Sequence, residues 1–320
     1  MPLSLLAQWQ MLDVQTQASF RSMSLVNDQV VWAGGSANTV IRSIDGGQNW
    51  KIFKVGERKF DFRGIKAFDA STAIVVSAGL GEDGQAIIFK TIDGGQNWKE
   101  VFQTSEQGAF LDGIAFFDSL HGLVIGDPVK GQVYLLETFD QGETWKRRKT
   151  SDLPKPMEGE ASFAASNSGI VTVGNTAYYA FQSRILKTTD AGSSWQVLET
   201  NFPHGKTSGI FGLKFWSEKE GVLLGGDYVN DKAEQVNYAV TQNGGKTWNS
   251  GTMKKDGLKE SADIVNGKLI AVGTSGTSIS NKQGTSWKAL DSETFHVIRC
   301  AGSICYAVGP NGRIAKMAIK

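Results

Sequence analysis

One polar octet dominates the chain. "SIDGGQNW" at residues 43–50 returns as "TIDGGQNW" at 91–98, and its pattern, S/T-x-D-x-G-x-x-W, recurs at 138–145 and 188–195. A fifth copy at 241–248 places Asn243 at the acid position, and a sixth at 280–287 places Lys282 there. The steps from Trp to Trp are 48, 47, 50, 53 and 39 residues. A strand-rich repeat of that length matches one four-stranded propeller blade.

Ahead of each octet runs a β-rich segment closed by small residues: "VVWAGG", "IVVSAG", "LVIGD", "IVTVGN", "VLLGGD" and "LIAVGT". A seventh such run, "CYAVGP", has no octet after it. Its missing outer strand is supplied from the other end of the chain, where "QWQMLDV" at residues 8–14 resembles the segment that follows each octet. Trp9 then stands in for the seventh Trp. The expectation is an all-β, seven-bladed β-propeller in one domain, residues 1–320, with the last blade closed by the N-terminal strand; six blades is the competing count. Closure of this kind removes exposed sheet edges. Composition agrees with many tight turns between short strands, since 38 glycines accompany only six prolines, with nine tryptophans and seventeen phenylalanines.

The octet falls between two strand-like runs, such as "IIFKT" and "WKEVF", which makes it a hairpin loop. Its Asp can accept loop N–H groups, its Gly tolerates positive φ, and its Trp packs a large ring with an N–H to spare. A calcium loop needs several oxygen ligands at alternating positions, whereas each copy offers one carboxylate. Asn243 and Lys282 stand in for that carboxylate within the same chain. A structural joint is the expectation, with no metal and no cofactor.

The pattern S/T-x-D-x-G-x-x-W is the Asp-box, or BNR repeat, of sialidases and other propellers. The fuller stretch "VNDQVVWAGGSANTVIRSIDGGQNW" resembles the photosystem II stability/assembly factor family, and "EGEASFAAS" and "SGIFGLKF" resemble exported bacterial propellers labelled glycosyl hydrolase or oxidoreductase. The resemblance implies a seven-bladed propeller and an extracytoplasmic location, periplasmic or secreted. Fold alone does not decide activity.

If the octets are joints, function belongs on the opposite face. Aligning the repeats places Arg21, Arg63, Asp112, Glu160, Phe211, Glu260 and His296 at the start of the innermost strands, beside the central channel. Such a ring either pairs with itself or holds a ligand. The long segments around blades 4 and 5 add Glu158, Tyr178, Tyr179, Asp227 and Tyr228, and Asp127 at the end of "LVIGD" in blade 3 lies in the same region. Aromatics, carboxylates and arginines together suit a protein or carbohydrate ligand, unless the tyrosines only pack the loops down. The leading expectation is a non-enzymatic binding or assembly propeller. The alternative is a glycoside hydrolase, with Asp112, Glu160 and Asp227 as catalytic candidates.

Other classes find little support. A net charge of +1 gives no sign of a nucleic-acid partner. No apolar run reaches membrane-spanning length, and "MPLSLLAQWQML" lacks the basic start of a complete signal peptide. No glycine-rich strand–helix unit supports a dinucleotide. Cys300 and Cys305 are expected as two buried free thiols, although a tight turn at Gly302-Ser303 would set them opposite one another for a disulfide.

Overall fold

The computed structural model describes residues 8–254 and 256–319. The apolar stretch at residues 3–7, weighed above for a leader, lies outside them. Seven four-stranded antiparallel sheets form the blades of a propeller. In blade 1 the strands run outward from the channel as Phe20–Leu25, Val31–Gly35, Thr39–Ser43 and Lys51–Lys54, and five further blades repeat that order. The seventh is composite. Gln10–Leu12 pairs with Ile314–Ala318, Gln10 opposite Lys316, as the outer strand of a blade whose inner three come from the C-terminal end. Trp9 fixes the closure by donating its indole N–H to Thr277 Oγ1 (3.0 Å) and packing on Phe295.

The blades are held together by apolar side chains shared between neighbours. Trp32 and Val40 of blade 1 pack with Phe62, Ile65, Val75 and Phe89 of blade 2, all buried. Each such side chain contributes about 1.5–3 kcal/mol when fully buried. One position of the second strand also carries a polar handle across the seam. Trp32 donates to Asp69 O, Tyr178 to Glu218 O and Tyr306 to Asp28 O, at 2.9–3.1 Å.

Blade 4 departs from the sequence alignment. "IVTV" is its innermost strand, Ile170–Val173, and not its second. The second strand is Thr176–Ala180, so Tyr178 and Tyr179 lie in a buried strand where a loop was expected. The β-pattern of "IVTVGN" matches both positions, and register depends on pairing that no local run encodes. Cys300 and Cys305 are directly opposite one another across a two-residue turn and form a disulfide, so the free-thiol expectation is replaced.

Candidate functional site

The octets close on themselves. Asp45 accepts the Asn49 N–H (2.9 Å), the Asn49 side-chain amide (2.8 Å) and the Ser43 hydroxyl (2.8 Å). Ser43 Oγ in turn accepts the Gly47 N–H, and Gly47 holds φ of 80°. Asp93 makes the same set with Asn97 and Thr91. The backbone N–H groups of Asn49 and Asn97, more than any other donor, pull these two carboxyls down to about 2. Asn243 keeps the equivalent bond to the Thr247 N–H, which explains why an amide serves as well as an acid. In these copies the side-chain oxygens are turned to the loop's own donors.

On the other face the innermost strands begin with a β-bulge in four blades. Register shifts between Phe20 and Ser22, Phe62 and Gly64, Leu111 and Gly113, and Ile210 and Gly212. The residue pushed out each time is Arg21, Arg63, Asp112 or Phe211, four of the seven aligned above, and bulges commonly re-aim a side chain in this way.

Blade 4 has no such bulge; the chain before its first strand instead turns into the channel. Residues 164–168 bond to each of the other six blades. Arg21 donates to Ala165 O and Arg63 to Ala164 O, both at 3.2 Å. Asn167 accepts the Ile114 N–H (2.8 Å) and donates to Ile65 O. Ser168 O accepts the Leu213 N–H (2.7 Å), and Ser166 Oγ donates to Glu260 O (2.8 Å). From blade 7, Arg299 donates to Ser166 O, Asn167 O and Ser168 Oγ. The run "SFAASNSG" supplies mostly small side chains, which lets it occupy the axis, and it divides the channel into two mouths.

The mouth opposite the octets is a cavity of about 450 Å³ lined by Arg21, Arg63, Asp127, Phe163, Phe211 and Tyr228, with Glu260 at its edge. Phe163 and Phe211 stack at 4.0 Å with an 8° interplanar angle, and Tyr228 meets Phe163 edge-on. Arg63 leans on Asp61 (2.8 Å), and Arg21 lies 3.5 Å from Glu260. Both arginine side chains keep about a quarter to a third of their surface exposed, at 26% and 32%.

Among the acids named from the sequence, Asp127 faces this cavity and accepts the Ser162 N–H (2.8 Å), while burial raises its carboxyl to about 6. Asp112 lies buried, and neither of its oxygens makes a hydrogen bond. Burial first, then the charge of Asp127, holds its carboxyl well above the ordinary range; the Arg63 charge and the nearby Asp127 amide oppose them. Glu260 is committed to His296 Nδ1 (2.6 Å) as well as to Arg21, and His296 is itself buried.

Several expected site residues are not brought together here. Glu160 lies eight residues ahead of the plug's last residue, Ser168. It is closed off by Arg184, which donates to it through Nε (2.5 Å) and Nη2 (2.6 Å). Glu158 is exposed on the preceding loop. Asp227 is turned onto its own loop by the Val229 N–H (2.8 Å), which holds its carboxyl below the usual range. Tyr178 serves the blade seam, whereas the buried Tyr179 accepts the Ser162 hydroxyl (2.9 Å) and props the cavity wall. Phe163, Phe110 and Leu258 line the cavity although the alignment passed over them. For Phe163 the signal was present, as a lone aromatic within a small-residue run. Among the described residues, no three metal-ligating side chains cluster and no helix is long and apolar enough to cross a membrane.

The sequence profile of the photosynthesis system II assembly factor YCF48 family matches residues 1–106 and 100–304. The chain belongs to that family. Its fold is similar to that of YCF48 solved with a D1 peptide, at 15% identity and a TM-score of 0.67, covering 98% of this chain and 97% of that one. YCF48 from Cyanidioschyzon merolae gives 16% identity and a TM-score of 0.62 over 97% and 98%. A virginiamycin B lyase from Staphylococcus aureus gives a TM-score of 0.71 at 10% identity, covering 98% and 100%, so the YCF48 architecture is shared with an enzyme. No curated protein matches by sequence.

Proposed function

We propose that the chain is a non-enzymatic assembly factor that holds a segment of a partner protein in the mouth opposite the octets. The carrying observation is the pairing of two part-exposed arginines with a stacked Phe163–Phe211 platform flanked by Tyr228. Guanidinium groups take carboxylates, and stacked rings take apolar or aromatic side chains, so the cavity suits a peptide bearing both. Family membership supports the same reading, since YCF48 itself has been captured with a D1 peptide.

The acids argue against the hydrolase alternative. Glycoside hydrolysis needs two carboxyl groups flanking one bond; Glu160 and Asp227 are engaged elsewhere, and Asp112 is buried outside the cavity lining, which leaves Asp127 without a free carboxyl partner there. No arrangement specific to a sugar favours a carbohydrate ligand over a peptide.

A labelled D1 peptide is the probe to titrate. Micromolar binding is expected, weakened at least about tenfold in the Arg21→Ala/Arg63→Ala variant. Absence of binding, or binding indifferent to both arginines, would sink the proposal. We also place the protein outside the cytosol, in line with its family resemblance and with the Cys300–Cys305 disulfide, which suits an oxidising compartment. Recovery of the chain in a cytosolic fraction with both thiols open to alkylation would overturn that placement.

A further inference from the structure

The plug leaves a second mouth on the octet face, and it is chemically different from the first. One residue from each innermost strand points into it at the same register. Ser24 pairs with Trp32, Lys66 with Ile74, Ala115 with Leu123, Val171 with Tyr178, Lys214 with Val222, Asp263 with Ile270 and Arg299 with Tyr306. Together with Asn167 and Ser168 of the plug they line a cavity of about 310 Å³. Three of the seven are cations and one is an acid.

The acid is already satisfied. Asp263 takes Lys214 Nζ at 2.6 Å, the Ile264 N–H at 2.7 Å and the Cys300 N–H at 2.9 Å. With Asp263 bound to Lys214 and its charge also felt at Arg299, the ring of Lys66, Lys214 and Arg299 still carries two positive charges in excess. The guanidinium of Arg299 is committed to uncharged partners, namely Ser166 O, Asn167 O, Ile298 O and the hydroxyls of Ser168 and Ser261. It contributes field more than free donors. Among the described residues Lys66 finds no ion-pair or hydrogen-bond partner; its ammonium lies 5.5 Å from the Phe68 ring centre, and burial lowers its pKa. Ser24 Oγ accepts the Ala67 N–H, which leaves its O–H able to donate into the space.

Two excess positive charges in a part-buried cavity with a mainly polar lining carry a desolvation cost that an anion of charge −2 would offset. We propose that the octet-face mouth is a binding site for a small doubly charged oxyanion, of phosphate or dicarboxylate type, held by Lys66 and the Ser24 hydroxyl in the field of Arg299. The mouth used for the partner peptide is separate, because residues 164–168 stand between the two.

Calorimetric titration of the whole protein with inorganic phosphate, and separately with succinate, tests this and distinguishes the two sources of charge. At least one of them should bind, with affinity falling at least about tenfold in Lys66→Met, where the ammonium is lost, and nearly unchanged in Lys66→Arg. Val171→Glu places a carboxylate in the same ring without replacing Lys66 and should weaken binding by at least about tenfold as well, so the test survives if Lys66→Met does not fold. The Arg21→Ala/Arg63→Ala variant should bind the anion as the native protein does. Failure of both anions to bind, binding that persists in Lys66→Met or Val171→Glu, or loss of binding in the Arg21/Arg63 variant would each overturn the proposal. Peptide binding at the other mouth should be the same in Lys66→Met, so either proposal can fail while the other stands.

Discussion

The octet hairpins and the channel plug solve the same problem in opposite ways. Both are irregular backbone that must satisfy its polar groups. The octets do so locally, each Asp, Ser or Thr bonding within its own eight residues. Residues 164–168 do so at long range, through six other blades. A self-contained unit can be copied, and tolerates Asn243 or Lys282 at its acid position. A unit that depends on six different neighbours can occur only once. Repetition therefore marks the joints of this fold, and the break in the repeat marks the ground on which both mouths are built.

The sharpest way to break that contrast is Arg299→Met. It removes the donor that ties Ser166 O, Asn167 O and Ser168 Oγ to blade 7, leaving Asn167 O without its partner and the other two with fewer bonds. A loss of about 3 kcal/mol or more is expected, read as a lower urea midpoint, together with weaker peptide binding. A cost no larger than that of an octet substitution would mean that the plug is a passenger. Next comes Gly212→Ala. An added Cβ would sit 2.3 Å from Glu260 O and 3.1 Å from Ser168 Cβ, pressing the plug against blade 6. Overpacking there should destabilise by about 1–3 kcal/mol, and an unchanged melting temperature would show slack where the structure places none.

This contrast also explains what was legible in advance. Seven blades, the shared closing blade and the octets as hairpins follow from periodicity, because those features are local and repeated. Arg21, Arg63, Asp127 and Tyr228, named from the sequence, line the cavity, the two arginines because their bulges preserve a common alignment. Blade 4 misled because "IVTVGN" fits either of two strands, and choosing the wrong one moved Glu160 to the channel and the buried Tyr178 and Tyr179 into a loop. "SFAASNSG" held the correction: a run of small residues suits a crowded axis, but only the assembled ring shows that an axis needs filling. The ring of Lys66, Lys214 and Arg299 carries no repeated signal, since the same register position holds Ser24, Ala115, Val171 and Asp263 in the other four blades.

The two regions also titrate with opposite sign. Unfolded, an aspartate titrates near its ordinary value of about 3.9. Asp127 rises to about 6 in the folded protein, so the folded state holds the proton more tightly. Stability from this group is greatest below about pH 4 and is lost as pH rises towards 6; Asp112, whose carboxyl is also raised, contributes with the same sign. Asp45 and Asp93, held at about 2, act in reverse: their contribution is complete above about pH 4 and disappears as pH falls through 2. Urea midpoints measured from pH 4 to 6 should therefore decline in the native protein and flatten in Asp112→Asn/Asp127→Asn. An unchanged slope would assign the decline to other groups.

The smallest effect belongs to Asp93→Ala. It strips one octet of the carboxylate that gathers the Asn97 amide, the Asn97 side chain and the Thr91 hydroxyl. The hairpin is exposed, and water can replace much of what is lost, so the melting temperature should fall only slightly. Asp93→Asn should recover most of that fall, because Asn243 already performs the same task in blade 5 through its Oδ1. Neither variant should alter peptide affinity at the far mouth or anion affinity at the near one. A selective loss of either, with melting unchanged, would make the octet a binding element and undo the division between joints and site.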